Sequence, residues 1–393
     1  MKKQVLKIKM KLLIAMNSFK GSLSATQATS IVEKAACETG IDKEDLLKVP
    51  MVDGGTDSLD VWHRFLDTKI NELRTVDPLG NPIKTTILVD KKNNKAYIEM
   101  ARASGVHLID PSPKTIFEAT SFGTGVLIRK AIEKGFKEIF LGIGGSATHD
   151  LGTGILRALG VKFYNKNKEE LKTPEELFSL NSIDYSKLDN LPKDLRITFL
   201  CDVNNKLLGD KGAAYTYAKQ KGANSEKLIA KCESLSELFY NHFKANYDIE
   251  IGNKAGDGAA GGLPSIIRVL MNAELMSGAS FLFDIVNLED TLREFNLVIT
   301  GEGAFDSQSF FGKGPGYLID RARKVNAFTL VLSGKVDSEV FKNQDNNISF
   351  FSINNSLESI EQALKNTEIN LYNTAKNALS LYKAGLKTKE AAK

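Results

Sequence analysis

Cysteine is scarce in this chain, with three residues among 393. Cys37, Cys201 and Cys232 form no CxxC pair and leave an odd thiol, which excludes a disulfide framework and a cysteine zinc site and fits a reducing cytoplasm. The four histidines, His63, His107, His149 and His242, show no ligand spacing either. Long apolar runs are also missing. No segment approaches the roughly 18 residues of a membrane span. Lysines ahead of Leu12–Met16 imitate a secretory signal, but five apolar residues fall short of the roughly 7 to 15 of its core, so the run reads as a first core strand behind a frayed Met1–Lys9 extension. An excess of one charge is lacking too: 52 basic and 48 acidic residues, with no basic block, give no case for nucleic acid. Finally, no Walker loop is present, since Gly312-Lys313 is followed by Gly314 and lacks the upstream glycine, and there is no His-Arg-Asp catalytic loop.

What is present is a set of loops placed between apolar strands and helices. Gly142-Ile-Gly-Gly-Ser-Ala-Thr-His-Asp150 follows the apolar run Ile139–Ile143 and precedes a helix-like Thr153–Leu159. Glycines admit a ligand to the backbone N–H groups, Ser146 and Thr148 add hydroxyls, and a helix N-terminus favours negative charge, so Gly144, Gly145, Ser146 and Thr148 are candidates for binding phosphate or carboxylate. A second loop, Asn17–Ser24, follows Leu12–Met16 and precedes a helix whose Ser24 and Gln27 form a capping box. It offers Ser18, Lys20, Gly21 and Ser22 to an anion. A third follows the strand Asn296–Thr300 and carries Glu302 and Asp306, two carboxylates suited to magnesium or to general-base work on a phosphorylated substrate. Asp53 lies between a strand and Gly54-Gly55, and Asp202 follows the apolar strand Arg196–Leu200; both stand where open α/β sheets place ligand-facing residues.

The order of elements points to an α/β fold of two α/β domains. Strand and helix alternate at both ends of the chain, whereas turn-rich segments at Asp77–Pro82 and Lys91–Asn94 predict antiparallel hairpins in between. The expectation is a Rossmann/flavodoxin-like domain from residues 10–76 and 286–393, a second α/β domain inserted as residues 77–285, and a site in the cleft between them. Consecutive domains split near Leu191–Asp194 are the alternative. One long helix is expected over Ser356–Tyr382, followed by a disordered charged tail, Lys387–Lys393.

Together the loops resemble those of the bacterial type I glycerate kinases. Ser18-Phe-Lys-Gly-Ser-Leu-Ser-Ala25 is similar to that family's N-terminal loop, and Gly142–Asp150 to its Gly-Ile-Gly-Gly-Ser-Ala-Thr-Asn-Asp, with His149 in place of asparagine. Ile98–Ala101, Gly123-Thr-Gly125, Cys201-Asp-Val203, Gln220-Lys-Gly-Ala223, Gly258–Gly262 and Val298–Gly303 match in the same order, over about Lys11 to Val336. The resemblance implies a cytoplasmic kinase that moves the ATP γ-phosphate to a hydroxyl of D-glycerate with magnesium, leaning toward 2-phosphoglycerate over 3-phosphoglycerate. In that reading Lys20 holds a phosphate or the glycerate carboxylate, Glu302 and Asp306 serve Mg2+, and Asp202 or Asp53 orients or deprotonates the acceptor. A homo-oligomer is left open. The chain departs from the family pattern at Asn17, at Thr56 with Asp57 beside it, and at Ala304. Two other readings stand beside it. One is a nucleotide-cofactor oxidoreductase, which lacks the acidic residue about 20 positions on. The other is a ligand-binding protein that has lost turnover.

Overall fold

The computed structural model describes residues 10–306, 309, 314–343 and 346–391. The chain divides into two compact units, one from Met1–Val52 with Leu282–Lys393 and one from Asp53–Phe281. The first junction therefore falls at Val52, not at residue 76. The helix Ser58–Phe65 and the hairpin strand Lys69–Val76 belong to the inserted unit.

In the unit made from both chain ends, five parallel strands lie in the order Ile348–Ser352, Phe328–Ser333, Leu297–Gly301, Leu12–Met16, Leu46–Lys48. Leu12–Met16 and Leu297–Gly301 are buried at every residue, as continuous apolar runs in a parallel sheet require. The edge strand ends at Lys48, but Val49 and Met51 still donate their amides to Ile14 and Met16. The helix Ala25–Glu38 packs Ala28, Val32 and Ala35 into this core, and its Ser24–Gln27 capping box forms in both directions. The expected helix over Ser356–Tyr382 is instead two, Ile360–Lys365 and Thr367–Ala391, because Ser359 caps the first and Asn366 ends it. The charged tail is helical as far as Ala391, contrary to the expected disorder; residues 1–9 and 392–393 lie outside the described residues.

The inserted unit holds a six-stranded sheet. Glu274–Met276, Arg196–Leu200, Glu138–Gly142 and Lys95–Glu99 run parallel, and Pro82–Asp90 and Lys69–Val76 extend the edge antiparallel. The two expected hairpins form. Asp77 closes the first by accepting the amides of Leu79 and Asn81, and Asp90 closes the second by accepting those of Lys92 and Asn93. Gly123-Thr-Gly125 lies inside the helix Phe122–Glu133, whose close approach to Ile155 of the next helix leaves no room for a side chain at Gly125.

Candidate active site

In the end-derived unit, two candidate loops leave the C-terminal ends of adjacent parallel strands, where ligands bind in open α/β sheets. Phe19 and Leu23 close the first loop through Phe19 N–H to the Leu23 carbonyl at 2.8 Å, leaving Ser18 and Lys20 on its rim with the Lys20 side chain exposed. Gly21 takes a positive φ of 81° there. Ser22, expected to face an anion, donates its hydroxyl to the Leu364 carbonyl at 3.0 Å and so anchors the loop instead. At the helix start behind the loop, the Ser24 hydroxyl takes the Gln27 amide.

The Glu302–Gly303 loop packs against Phe19 and Lys20. Burial and neighbouring Asp306 push the Glu302 carboxyl above the usual range, while Ser309 and Lys20 favour its charged form. Lys20 and Asp306 are thus each within electrostatic reach of Glu302. Asp306 also accepts the Ser309 amide at 3.1 Å, the turn-capping role an aspartate takes after a strand. Lys20 and Glu302 line a cavity of about 710 Å³. Gly312 and Lys313 lie outside the described residues. Carboxylate oxygens such as those of Glu302 and Asp306 are the donor type that suits Mg2+, which keeps several waters and takes its remaining ligands from phosphate. Among the described residues the only three-member acidic or thiol grouping is Asp42, Glu44 and Asp45, on a turn.

The glycine loop of the inserted unit has a different construction. Gly142 and Gly144 lie against Gly54-Gly55: a Cβ on Gly142 would meet the Gly54 carbonyl oxygen at 2.4 Å, and one on Gly144 the Gly55 Cα at 2.6 Å. Gly54 itself has φ +90°, and a Cβ there would lie 2.2 Å from the Leu200 carbonyl oxygen. These glycines let three loops pack backbone to backbone. Gly145 is the exposed member, beside Thr56. The helix N-terminus expected to hold an external anion is filled from within. Asp150, fully buried, accepts the amides of Gly152, Gly154 and Ser121 and the Ser121 hydroxyl.

Ser146 and Thr148, expected to face a ligand, are buried behind the loop. The Lys221 ammonium donates to Ser146 Oγ at 2.9 Å and to the Thr148 carbonyl at 2.7 Å. Burial pulls Lys221 down to about 8, against the opposing pull of Asp150 and Cys232. His149 Nε2 meets the Cys232 carbonyl and Ser236, and burial with nearby Lys221 lowers the ring to about 4. Reasoning from sequence missed Lys221, whose partners lie 73 and 75 positions away; the local Gln220-Lys-Gly-Ala223 match was its one signal.

Asp202 Oδ1 accepts the Ser277 hydroxyl at 2.5 Å and Oδ2 the Ala279 amide at 3.0 Å, so the carboxylate holds the start of the helix Gly278–Ile285 and is itself fixed in direction. Asp53 is exposed and accepts the Gly55 amide at 3.0 Å. Glu99 is buried, accepts the Leu59 amide at 3.1 Å, and is pushed up mainly by burial, a structural anchor for the helix that begins at Ser58.

Parallel sheets with a lysine and two carboxylates at the strand ends are the layout of an α/β enzyme, and the comparisons make it a kinase. A model of the glycerate kinase family matches residues 12–383. The chain belongs to the glycerate kinase family. It is 34% identical over 355 residues to the glycerate 2-kinase of Escherichia coli K12, covering 90% of this chain and 93% of that protein. A Bacillus cereus glycerate kinase is 33% identical, with 95% and 98% covered. The crystal structure of a protein described as glycerate kinase 2 from Salmonella typhimurium LT2 matches with a TM-score of 0.74 at 32% identity, over 96% of this chain and 99% of that one. The two-domain α/β fold follows, and the oxidoreductase reading is set aside. No helix among the described residues is long and apolar enough to cross a membrane.

Proposed function

We propose that this protein transfers the γ-phosphoryl group of ATP to the 2-hydroxyl of D-glycerate, giving 2-phosphoglycerate, with Mg2+ bound. The observation that supports the reading is that Lys20 and Glu302 line one cavity of ligand size at the ends of parallel strands, with Asp306 within electrostatic reach of Glu302. The printed name of the Escherichia coli relative supports the 2-position. Mg2+, held by Glu302 and Asp306, would neutralise charge on the phosphates. Lys20 adds a positive group to the same anion, where fixed charge lowers the barrier. The Asp202 carboxylate is aimed by Ser277 and Ala279 and accepts the proton of the acceptor hydroxyl; exposed Asp53 is the second candidate.

The test is a coupled ADP-release assay with D-glycerate, ATP and Mg2+, followed by phosphorus NMR of the product. Glycerate-dependent ADP formation with a 2-phosphoglycerate signal is expected. A 3-phosphoglycerate signal would reverse the regiochemistry. Thermal stabilisation by ATP or glycerate without ADP would establish a binding protein that has lost turnover.

A further inference from the structure

The cavity beside Lys20 and Glu302 has a second, unlike wall. Its floor is polar and formed by strand ends: Lys20, Glu302, and Asn354, whose side-chain amide donates to the Gly334 carbonyl at 2.7 Å. Another part of the lining is the short helix Ile360–Lys365, which presents Ile360 and Leu364 to the cavity, one turn apart on the same face. Ile360 is 82% exposed and Leu364 40% exposed. Ala363 adds to the apolar surface, and Ile353 lies buried beneath it. The helix is fixed in place, since Ser359 caps it and Ser22 of the Lys20 loop bonds to its last turn.

We infer that this apolar wall is the binding surface for the base of the nucleotide, with the phosphates directed to Lys20 and Glu302. The inference rests on the kinase reading above. Of its two substrates, a three-carbon hydroxy acid has no apolar face to set against isoleucine and leucine, whereas a nucleoside triphosphate has a flat, weakly polar base at one end and charge at the other. The lining of the cavity combines both characters, Lys20 and Glu302 with Ile360 and Leu364. Its volume of about 710 Å³ lies within the roughly 300–1,000 Å³ usual for such ligands.

The experiment compares wild type with Ile360→Ser, and with Leu357→Ser as a control, since Leu357 is fully exposed and does not line the cavity. Moving an isoleucine side chain out of water is worth enough to change affinity about tenfold. The Ile360→Ser variant should raise KM for ATP by about that factor while leaving kcat and KM for glycerate within twofold, and Leu357→Ser should leave all three unchanged. Inhibition by inorganic tripolyphosphate, which has no base, should be the same in wild type and Ile360→Ser. An unchanged KM for ATP, or an equal loss of tripolyphosphate inhibition, would overturn the assignment. If wild type forms no ADP with glycerate, the kinase reading fails separately, and titration with a fluorescent ATP analogue still decides the site. Binding weakened only by Ile360→Ser supports it; equal binding in both variants, or none in wild type, overturns it.

Discussion

Replacing Lys221 by methionine isolates a single buried charge. The ammonium is 2% exposed, and folding lowers it from 10.5 to about 8 with burial as the main cause. At ~1.36 kcal/mol per pKa unit, burying that charge costs about 3 kcal/mol below pH 8. Between pH 8 and 10.5 the folded lysine is neutral while the unfolded chain still carries its proton. The unfolded state then binds more protons, so stability rises with pH across this window, by about 1 kcal/mol between pH 7 and 9. Of the groups facing Lys221, His149, lowered to about 4, stays neutral throughout, while Cys232, pushed up to about 12, begins to oppose the gain near pH 9, where an unfolded thiol ionises. Asp150 is held by four donors of the chain. At pH 7, Lys221→Met removes the charge but leaves Ser146 Oγ and the Thr148 carbonyl without their donor, at a cost of about 1–3 kcal/mol, so its net effect there is small. The assay is urea unfolding at pH 7, 8 and 9, read by the fluorescence of Trp62, the one tryptophan, buried in the same unit. Wild type should gain about 1 kcal/mol over the variant across this range. Parallel pH profiles for the two proteins would refute the reasoning.

Three further substitutions separate structure from chemistry. Gly54→Ala forces a Cβ to 2.2 Å from the Leu200 carbonyl oxygen at a φ of +90°, and should cost about 3 kcal/mol or more in the same unfolding assay; a loss under about 1 kcal/mol would contradict the packing account. Asp150→Asn turns an amide group toward buried N–H and O–H donors and should destabilise by about 3 kcal/mol, whereas a neutral effect would mean that the carboxylate does not hold that helix start. Lys20→Met removes an exposed side chain, so the melting temperature should stay unchanged while kcat/KM falls about 10²- to 10³-fold; retained activity would remove Lys20 from the reaction.

The strands and caps of this fold are legible locally. Leu12–Met16 and Leu297–Gly301 announce themselves as continuous apolar runs, and Ser24 with Gln27 forms the box their spacing predicts. The break at Asn366 was not legible, because Ile360, Leu364 and Leu371 keep a helical apolar spacing across it. The candidate carboxylates were found from their position after a strand. What could not be read was how each polar group is already used. Ser22 is committed to a carbonyl 342 positions away, and Lys221 to a loop more than 70 positions away, and no local pattern carries such pairings.

The two loops that look most alike in sequence therefore have different duties, and Ser146 decides between them. A hydroxyl that served the ligand would be open to it. Ser146 is instead 6% exposed and accepts from Lys221, which also holds the Thr148 carbonyl, so the hydroxyl shapes the loop from behind. Ser146→Ala deprives a buried ammonium of one of these two acceptors and should lower stability at pH 7 by about 1–3 kcal/mol. KM for ATP and for glycerate should stay within twofold, because the loop backbone is still fixed by Gly144 N–H to Gly54 and Ala147 N–H to Ser104. Steady-state kinetics and urea unfolding of the same preparation give both answers. A tenfold rise in either KM with stability unchanged would return Ser146 to the substrate and overturn the division of labour between the loops.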